Sequence, residues 1–426
     1  MIKLKQHQNY DKIVSWVKLI SITSGAQFIV QAVGFASGIL IIRVLPVQEY
    51  ALYTLANTML GTMTILADSG ISTGVMAQGG KVWQDRERLG TVLATGLDLR
   101  RKFAIGSLVV STPILFYLLL HNNATWLTSC LIVLALVPAF YATLSDSLLE
   151  IVPKLHQAIM PLQRNQVNVG IGRLLLTTLT LFVFPWAAVA IIASSIPRIY
   201  GNVKLRKITE GFVDMEQKPD PIVKSNIFKI LKRQYPESIY YCLNGQINIW
   251  LISIFGTSTS LANLGAIGRF GVVISFFAII FSTLVYPSIA KSPEIKKIIL
   301  SKSILIIIGS ILLSILILIF TRLFSTQILW ILGDNYSKLK NELFLSVLLA
   351  CISLIQGVFF SMNLSRGWVI NPIFYILLSI IITIFAVATI DLSTILGVLY
   401  FSLAISSCQS IILISYWFKK VLSLKV

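Results

Sequence analysis

The chain has 426 residues, 56% of them hydrophobic and only 12% charged, with a formal net charge of +18. Soluble domains carry about 25% charged residues, and a mean hydropathy of +0.84 excludes an ordinary soluble domain. Apolar runs of about 20 residues recur, long enough to cross a hydrocarbon core of ~30 Å, and the strand alternation of a membrane barrel is lacking.

In windows of about 19 residues the sequence predicts twelve spans: 20–42, 49–70, 103–120, 126–149, 167–183, 186–200, 236–256, 261–288, 303–321, 342–365, 372–390 and 393–418. The expected fold class is therefore all-α, a polytopic membrane protein. Spans five and six are separated only by Pro185 and its neighbours, and two helices or one kinked element both fit. Ahead of the first span, "DKIVSWVKLI" at 11–20 suits an interfacial stretch. The apolar run that follows is too long for a signal-peptide core and reads as a retained helix.

Positive charge orients the spans. With the amino terminus inside, the inner segments hold 29 Lys and Arg, and the outer connections hold only Arg43, Arg322, Lys338 and Lys340. The positive-inside rule then places both termini in the cytoplasm. The excess is spread over short turns that face anionic lipids, with no aromatic-interleaved basic domain for nucleic acid. Apart from Arg198 at the inner edge of span six, only Arg173 and Arg269 fall inside predicted spans.

The polar stretch 201–235 contains Pro219 and Pro221 and has six predicted spans on either side. It divides the chain into an N-terminal six-helix lobe (1–200), a cytoplasmic linker (201–235) and a C-terminal six-helix lobe (236–426). Two halves that each begin and end inside suit parallel repeats. The first helices of the halves carry amide pairs at i, i+4, Gln27/Gln31 and Asn244/Asn248, and each pair shares one face. The four cysteines have no CxxC spacing and the three histidines form no ligand motif, so no metal or cofactor is expected. No nucleophile–base pair or phosphate-cradling glycine loop appears, and no enzyme is expected.

The segment 34–102 resembles the opening of bacterial polysaccharide and O-antigen repeat-unit flippases of the Wzx type, in the multidrug/oligosaccharidyl-lipid/polysaccharide (MOP) exporter superfamily. The resembling features are a first helix ending in "RVLPVQEYALY", a second ending in "ADSGIS", and a basic segment ending in "LDLRRK". The resemblance implies a MATE-like, two-lobed, V-shaped transporter of the bacterial cytoplasmic membrane. It would move a polyprenyl-pyrophosphate-linked oligosaccharide from inner to outer leaflet by alternating access. Its implied partners are that lipid-linked substrate, membrane lipids, a polysaccharide polymerase and glycosyltransferases. A cation-coupled multidrug exporter of the same superfamily is the alternative, and a membrane-embedded sugar-lipid polymerase or ligase a remoter one. The loop "GGKVWQDRERLG" departs from the major-facilitator pattern G-x-x-x-D-R-x-G-R-R, because Asp85-Arg86 lies one residue too far from Gly80. It reads instead as an amphipathic loop helix with solvated charges.

A guanidinium at the centre of a membrane helix is unfavourable by roughly 2.5–3.5 kcal/mol and generally faces protein or water. Arg269 lies eight residues into its predicted span, roughly 12 Å. Arg173 lies about 9 Å from the inner end of its own span. Each follows an Ile-Gly pair, Ile171-Gly172 and Ile267-Gly268, and glycine leaves room beside the guanidinium. Arginine's planar fork binds phosphate oxygens bidentately, which suits a pyrophosphate head group. Snorkelling to the interface is the competing reading for Arg173. Gln27, Gln31, Asn57, Asn244, Gln246 and Asn248 are the candidates to bind the sugar. Taken singly, each better suits an interhelical hydrogen bond, worth about 0.6 kcal/mol in membranes. Asp68, Asp146 and Glu150 are gating or coupling candidates that would pair with cations of the opposite lobe, or else solvated helix ends.

Overall fold

The computed structural model describes residues 25–271, 273, 274, 277, 289, 292, 295–366, 368 and 370–424. The described residues form helices and no strands. They fall in two compact units, Met1–Asn244 and Gly245–Val426. The stretch 11–20 and most of 272–288 lie outside the described residues.

The first unit contains α1 (Gly25–Val44), α2 (Val47–Asp68), α3 (Ile71–Val82), α4 (Arg86–His121), α5 (Trp126–Leu149), α6 (Ile151–Leu155), α7 (Ile159–Leu181), α8 (Ala187–Glu210) and most of α9 (Pro221–Phe255). Local chemistry sets the breaks. Pro46, without an N–H, separates α1 from α2. Ser69 and Gly70 both adopt positive φ, at 41° and 96°, and end α2 with a left-handed turn. Asp85 caps α4 by accepting hydrogen bonds from the N–H groups of Glu87 and Arg88, both at 3.1 Å. The Asp85-Arg86 dipeptide is thus a helix start with exposed charges.

Spans five and six are two helices. Residues 182–186 turn between α7 and α8, and the new N-terminus is capped by a side chain from another helix. Glu49 Oε2 accepts from the Ala187 N–H at 2.7 Å.

The stretch 201–235 is mostly helical. α8 runs on to Glu210 and α9 starts at Pro221, where Asp220 accepts from the N–H groups of Ile222 and Val223, both at 2.8 Å. Only residues 211–220 form a non-helical strap, and it is fastened to the first unit. The Asp214 N–H donates to Arg86 O at 3.2 Å. The Asp220 N–H donates to Thr95 Oγ1 at 3.0 Å. Val213, Ile227 and Leu231 are buried in one apolar cluster with Leu89, Val92 and Leu148. Two glycines permit this approach. A Cβ on Gly74 would meet Ile227 Cγ2 at 2.8 Å, and one on Gly90 would overlap the Asp214 carbonyl oxygen.

The second unit contains α10 (Ser258–Gly268), α11 (Lys296–Leu323), α12 (Ser325–Leu332), α13 (Lys340–Ser365), α14 (Pro372–Thr389) and α15 (Ile395–Leu422). α13 packs on α11 and α15, and α14 packs on α15. Ser303, Ser310 and Ser314 are buried along one face of α11, each bonding back to its own helix. Small side chains of this kind let membrane helices come close. The loop 322–341 carries α12 and a 3-10 turn, Asp334–Tyr336.

Among the described residues, six helices are long and apolar enough to cross a membrane: Gly25–Val44, Arg86–His121, Trp126–Leu155, Lys296–Leu323, Lys340–Asn363 and Ile395–Leu422. The remaining predicted spans fall on α2, α7, α8, α9, α14 and, in its first third, α10. The chain is an all-α, multi-pass membrane protein.

His156 gives the strap a pH dependence. Its ring stacks on Phe212 of the strap, with centroids 4.7 Å apart, and meets Trp83 edge-on at 5.4 Å. Its Nε2 is buried without a hydrogen-bond partner among the described residues. Burial pushes the imidazole below its ordinary value, so the docked strap binds fewer protons than the released one. The contact is complete above about pH 6.5 and weakens as the pH falls below it. Hydrogen exchange of the 211–220 amides, corrected for intrinsic rate, is expected to show protection falling between about pH 7.5 and pH 5.5. In His156→Phe the protection should stay flat over that range. An unchanged pH dependence in the variant would show that His156 is not the titrating group.

Candidate functional site

The polar residues of the membrane helices gather into a few tracts, and the most continuous one joins α1 to α7. Gln27 Nε2 donates to Gln166 Oε1 at 3.1 Å and to Gln163 Oε1 at 3.4 Å. Gln166 Nε2 donates to Glu150 Oε1 at 2.9 Å, and Lys154 Nζ donates to Glu150 Oε2 at 2.8 Å. Two turns further on, the same faces meet again. A Cβ on Gly34 would lie 3.3 Å from Arg173 Nη2, and one on Gly170 would touch Val33 at 3.5 Å. From Gln27 to Gly34 and from Gln166 to Arg173 the step is seven residues on each helix. α1 and α7 therefore run parallel, with amides against amides and a glycine against a guanidinium.

This geometry reassigns two glycines. Gly172, next to Arg173 in sequence, serves helix packing, since its Cβ would meet Pro197 of α8 at 3.2 Å. Room for the Arg173 guanidinium comes from Gly34 on the neighbouring helix.

The three candidate acids are all engaged within the first unit. Asp146 accepts from Arg198 Nε at 3.1 Å and from Asn202 Nδ2 at 2.7 Å, joining α5 to α8. Glu150 is held by Lys154 and Gln166. Asp68 accepts from the Ser72 N–H at 3.1 Å and Ser72 Oγ at 2.8 Å, and forms an ion pair with Arg100. Arg100 is only 2% exposed. It also donates to Leu144 O, Ser147 Oγ and Ser72 Oγ, so one guanidinium ties α3, α4 and α5 to the end of α2.

In the second unit Asn248 Oδ1 accepts from Ser402 Oγ at 2.7 Å, an interhelical bond from α9 to α15. Gln409, buried on α15, accepts from Gln356 Nε2 at 3.0 Å and donates to Ser379 Oγ at 3.4 Å. Asn244 and Gln246 are half-buried, as is Gln31 in the first unit, and Asn57 is exposed on an otherwise buried face of α2. Arg269 stands at the end of α10, eleven residues from its start at Ser258. The N–H groups of Arg269 and Phe270 bond three residues back, to Ala266 O and Ile267 O, both at 3.2 Å. The helix expected through Arg269 therefore tightens and is interrupted there, and the next described residues, 271, 273, 274 and 277, are again helical. A Cβ on Gly268 or Gly271 would meet nothing within 4 Å, so neither glycine is there to admit a packed neighbour.

Gln163, Gln166 and Arg100 belong to these tracts and were not anticipated. Each fell in a segment read as a loop, whereas α7 begins at Ile159 and α4 at Arg86. Once those starts are known, the i, i+3 spacing of Gln163 and Gln166 and the seven-residue step to Arg173 mark the face.

No protein-family model and no curated protein matches the sequence. The fold has close counterparts among solved structures. The lipid II flippase MurJ in an inward closed conformation superposes with a TM-score of 0.72 at 14% identity, covering 95% of this chain and 88% of that one. An inward-facing multidrug resistance MATE transporter of the MOP superfamily gives 0.71 at 12%, covering 92% and 95%. An outward-facing MATE transporter gives 0.61 at 12%, covering 96% and 95%. The chain shares the fold of these MATE and MurJ structures. At these identities the likeness establishes architecture and leaves the substrate to the side chains.

The Arg100 cluster yields a stability prediction. Arg100→Ala leaves Asp68 half-buried without its cation and should lower stability by about 3–5 kcal/mol, as breaking buried pairs does. Arg88→Ala removes an exposed pair with Asp85 and should change stability by about 0–1 kcal/mol. Thermal unfolding in detergent compares the two. Equal melting temperatures for both variants would rule out a structural role for the buried pair.

Proposed function

We propose that this protein is a flippase that carries an anionic lipid-linked oligosaccharide from the inner to the outer leaflet of a bacterial cytoplasmic membrane, with both termini cytoplasmic. The observation that carries the reading is the α1/α7 face. It carries Gln27, Gln31, the buried Gln163, Gln166 and Arg173; neither helix contains an Asp or Glu, and the acid that reaches the tract from outside them, Glu150, is paired with Lys154. Amides hydrogen-bond sugar hydroxyls, and a guanidinium takes phosphate oxygens in its planar fork. Such a face suits a pyrophosphate-linked sugar and repels a cationic drug. The Wzx-like segment 34–102 and the MurJ-like fold support the same reading. In the second unit, Arg269 at the end of α10 offers a further guanidinium of the same chemistry.

A cation-coupled multidrug exporter is the second reading, favoured by the MATE counterparts. Against it, Asp68, Asp146 and Glu150 each have hydrogen-bonded partners in the first unit, which suits struts better than a drug-binding acid.

Arg173→Ala and Arg269→Ala, at unchanged protein level, are each expected to abolish surface polysaccharide and to accumulate its lipid-linked precursor. Arg173→Lys should keep part of the activity, since lysine retains charge without the bidentate fork. Normal polymer in both alanine variants, or a loss of drug resistance with polymer intact, would refute the flippase reading.

A further inference from the structure

A cavity of about 560 Å³ lies in the first unit, on the α4/α5 side, away from the α1/α7 tract. Its two ends differ in chemistry. On α4, Arg101, Ile105 and Leu108 line it at i, i+4 and i+7, so one face passes from a cation to aliphatic side chains over roughly 10 Å. α5 supplies Tyr141 and Val137 alongside, over a floor that includes buried Phe140. Arg206, near the end of α8, closes the basic end.

We infer that this cavity is a binding site for one anionic phospholipid. Its phosphate would sit between Arg101 and Arg206, and an acyl chain would lie along Ile105, Leu108, Val137 and Tyr141. Three observations favour a charged lipid over a simple apolar contact. Arg101 makes no ion pair among the described residues, and Arg206 has only a loose one, 3.8 Å from Glu210 with both side chains largely exposed. The acid in the lining, Asp98, is already neutralised by Lys102 at 2.7 Å. Beneath them Arg100 also lines the cavity, and its Nε is buried without a hydrogen-bond partner among the described residues. The basic end thus carries one cation without an ion pair, Arg101, and one loosely paired, Arg206, beside an apolar wall in which Ile105 is 56% and Tyr141 67% exposed. A free phosphate would use only the first part and a neutral lipid only the second. The site needs nothing of the flippase reading beyond a membrane setting.

The test is native mass spectrometry of the full chain, released from vesicles of phosphatidylglycerol mixed equally with phosphatidylcholine. One retained phosphatidylglycerol per chain is expected, in preference to phosphatidylcholine. Arg101→Ala with Arg206→Ala should lower its occupancy by about 30-fold, taking roughly fivefold per surface cation. Arg88→Ala, elsewhere on the same helix, should leave it unchanged. Equal retention of the two lipids, undiminished retention by the double variant, or displacement by millimolar inorganic phosphate would each overturn the assignment.

Discussion

A polar group inside a hydrocarbon layer has no water to fall back on, and this constraint arranges the chain. Unsatisfied backbone groups leave only helices as spanning elements, and polar side chains must then find one another across helices. The buried amides and acids described here do so: Gln27 with Gln166, Asp146 with Arg198 and Asn202, Gln356 with Gln409 and Ser379. Arg100 is the extreme case, a fully buried cation whose partners come from three other elements. Remove it and the basic end of the first unit loses the group that α3, α4 and α5 share.

The two arginines that prompted a functional reading show how context divides one residue type into several roles. Arg100 is enclosed by acceptors and acts as a clamp. Arg173 lies where a parallel neighbour supplies Gly34 instead of a side chain. Arg269 follows the last residue of α10, where the helix tightens into a turn. Arg101, one residue from the clamp, faces outward beside an aliphatic wall. Hydropathy treats all four alike, and only the neighbouring helices separate them.

The helical class and the position of Gln27 on a polar face of α1 are legible in the sequence, because hydrophobic length and i, i+4 spacing are local properties; of the twelve expected spans, six coincide with described helices long and apolar enough to cross a membrane. Helix starts were less so. α4 and α7 begin many residues before their apolar cores, since capping by Asp85 and packing of the strap extend helices through polar sequence. The stretch 201–235 read as a linker from its charge and prolines, yet only 211–220 is non-helical, and apolar Val213, Ile227 and Leu231 bury it. From their positions at span ends the acids read either as gates or as solvated helix ends. Their partners Arg198, Asn202 and Arg100 lie 32 to 56 residues away, beyond any local pattern. Gly172 was read through its neighbour in sequence, whereas a glycine's role is set by what packs against it.

The proposed selection of a phosphate-bearing sugar lipid by the α1/α7 face is open to a binding test. The most direct measurement is equilibrium binding of the purified chain to a polyprenyl-pyrophosphoryl oligosaccharide, set beside a hydrophobic cation such as ethidium. The account predicts saturable binding of the sugar lipid, weakened about tenfold or more by Arg173→Ala, as loss of a charge-assisted contact worth roughly 1.5–3 kcal/mol implies, and little binding of the cation. Saturable binding of ethidium, with no measurable affinity for the sugar lipid, would contradict it.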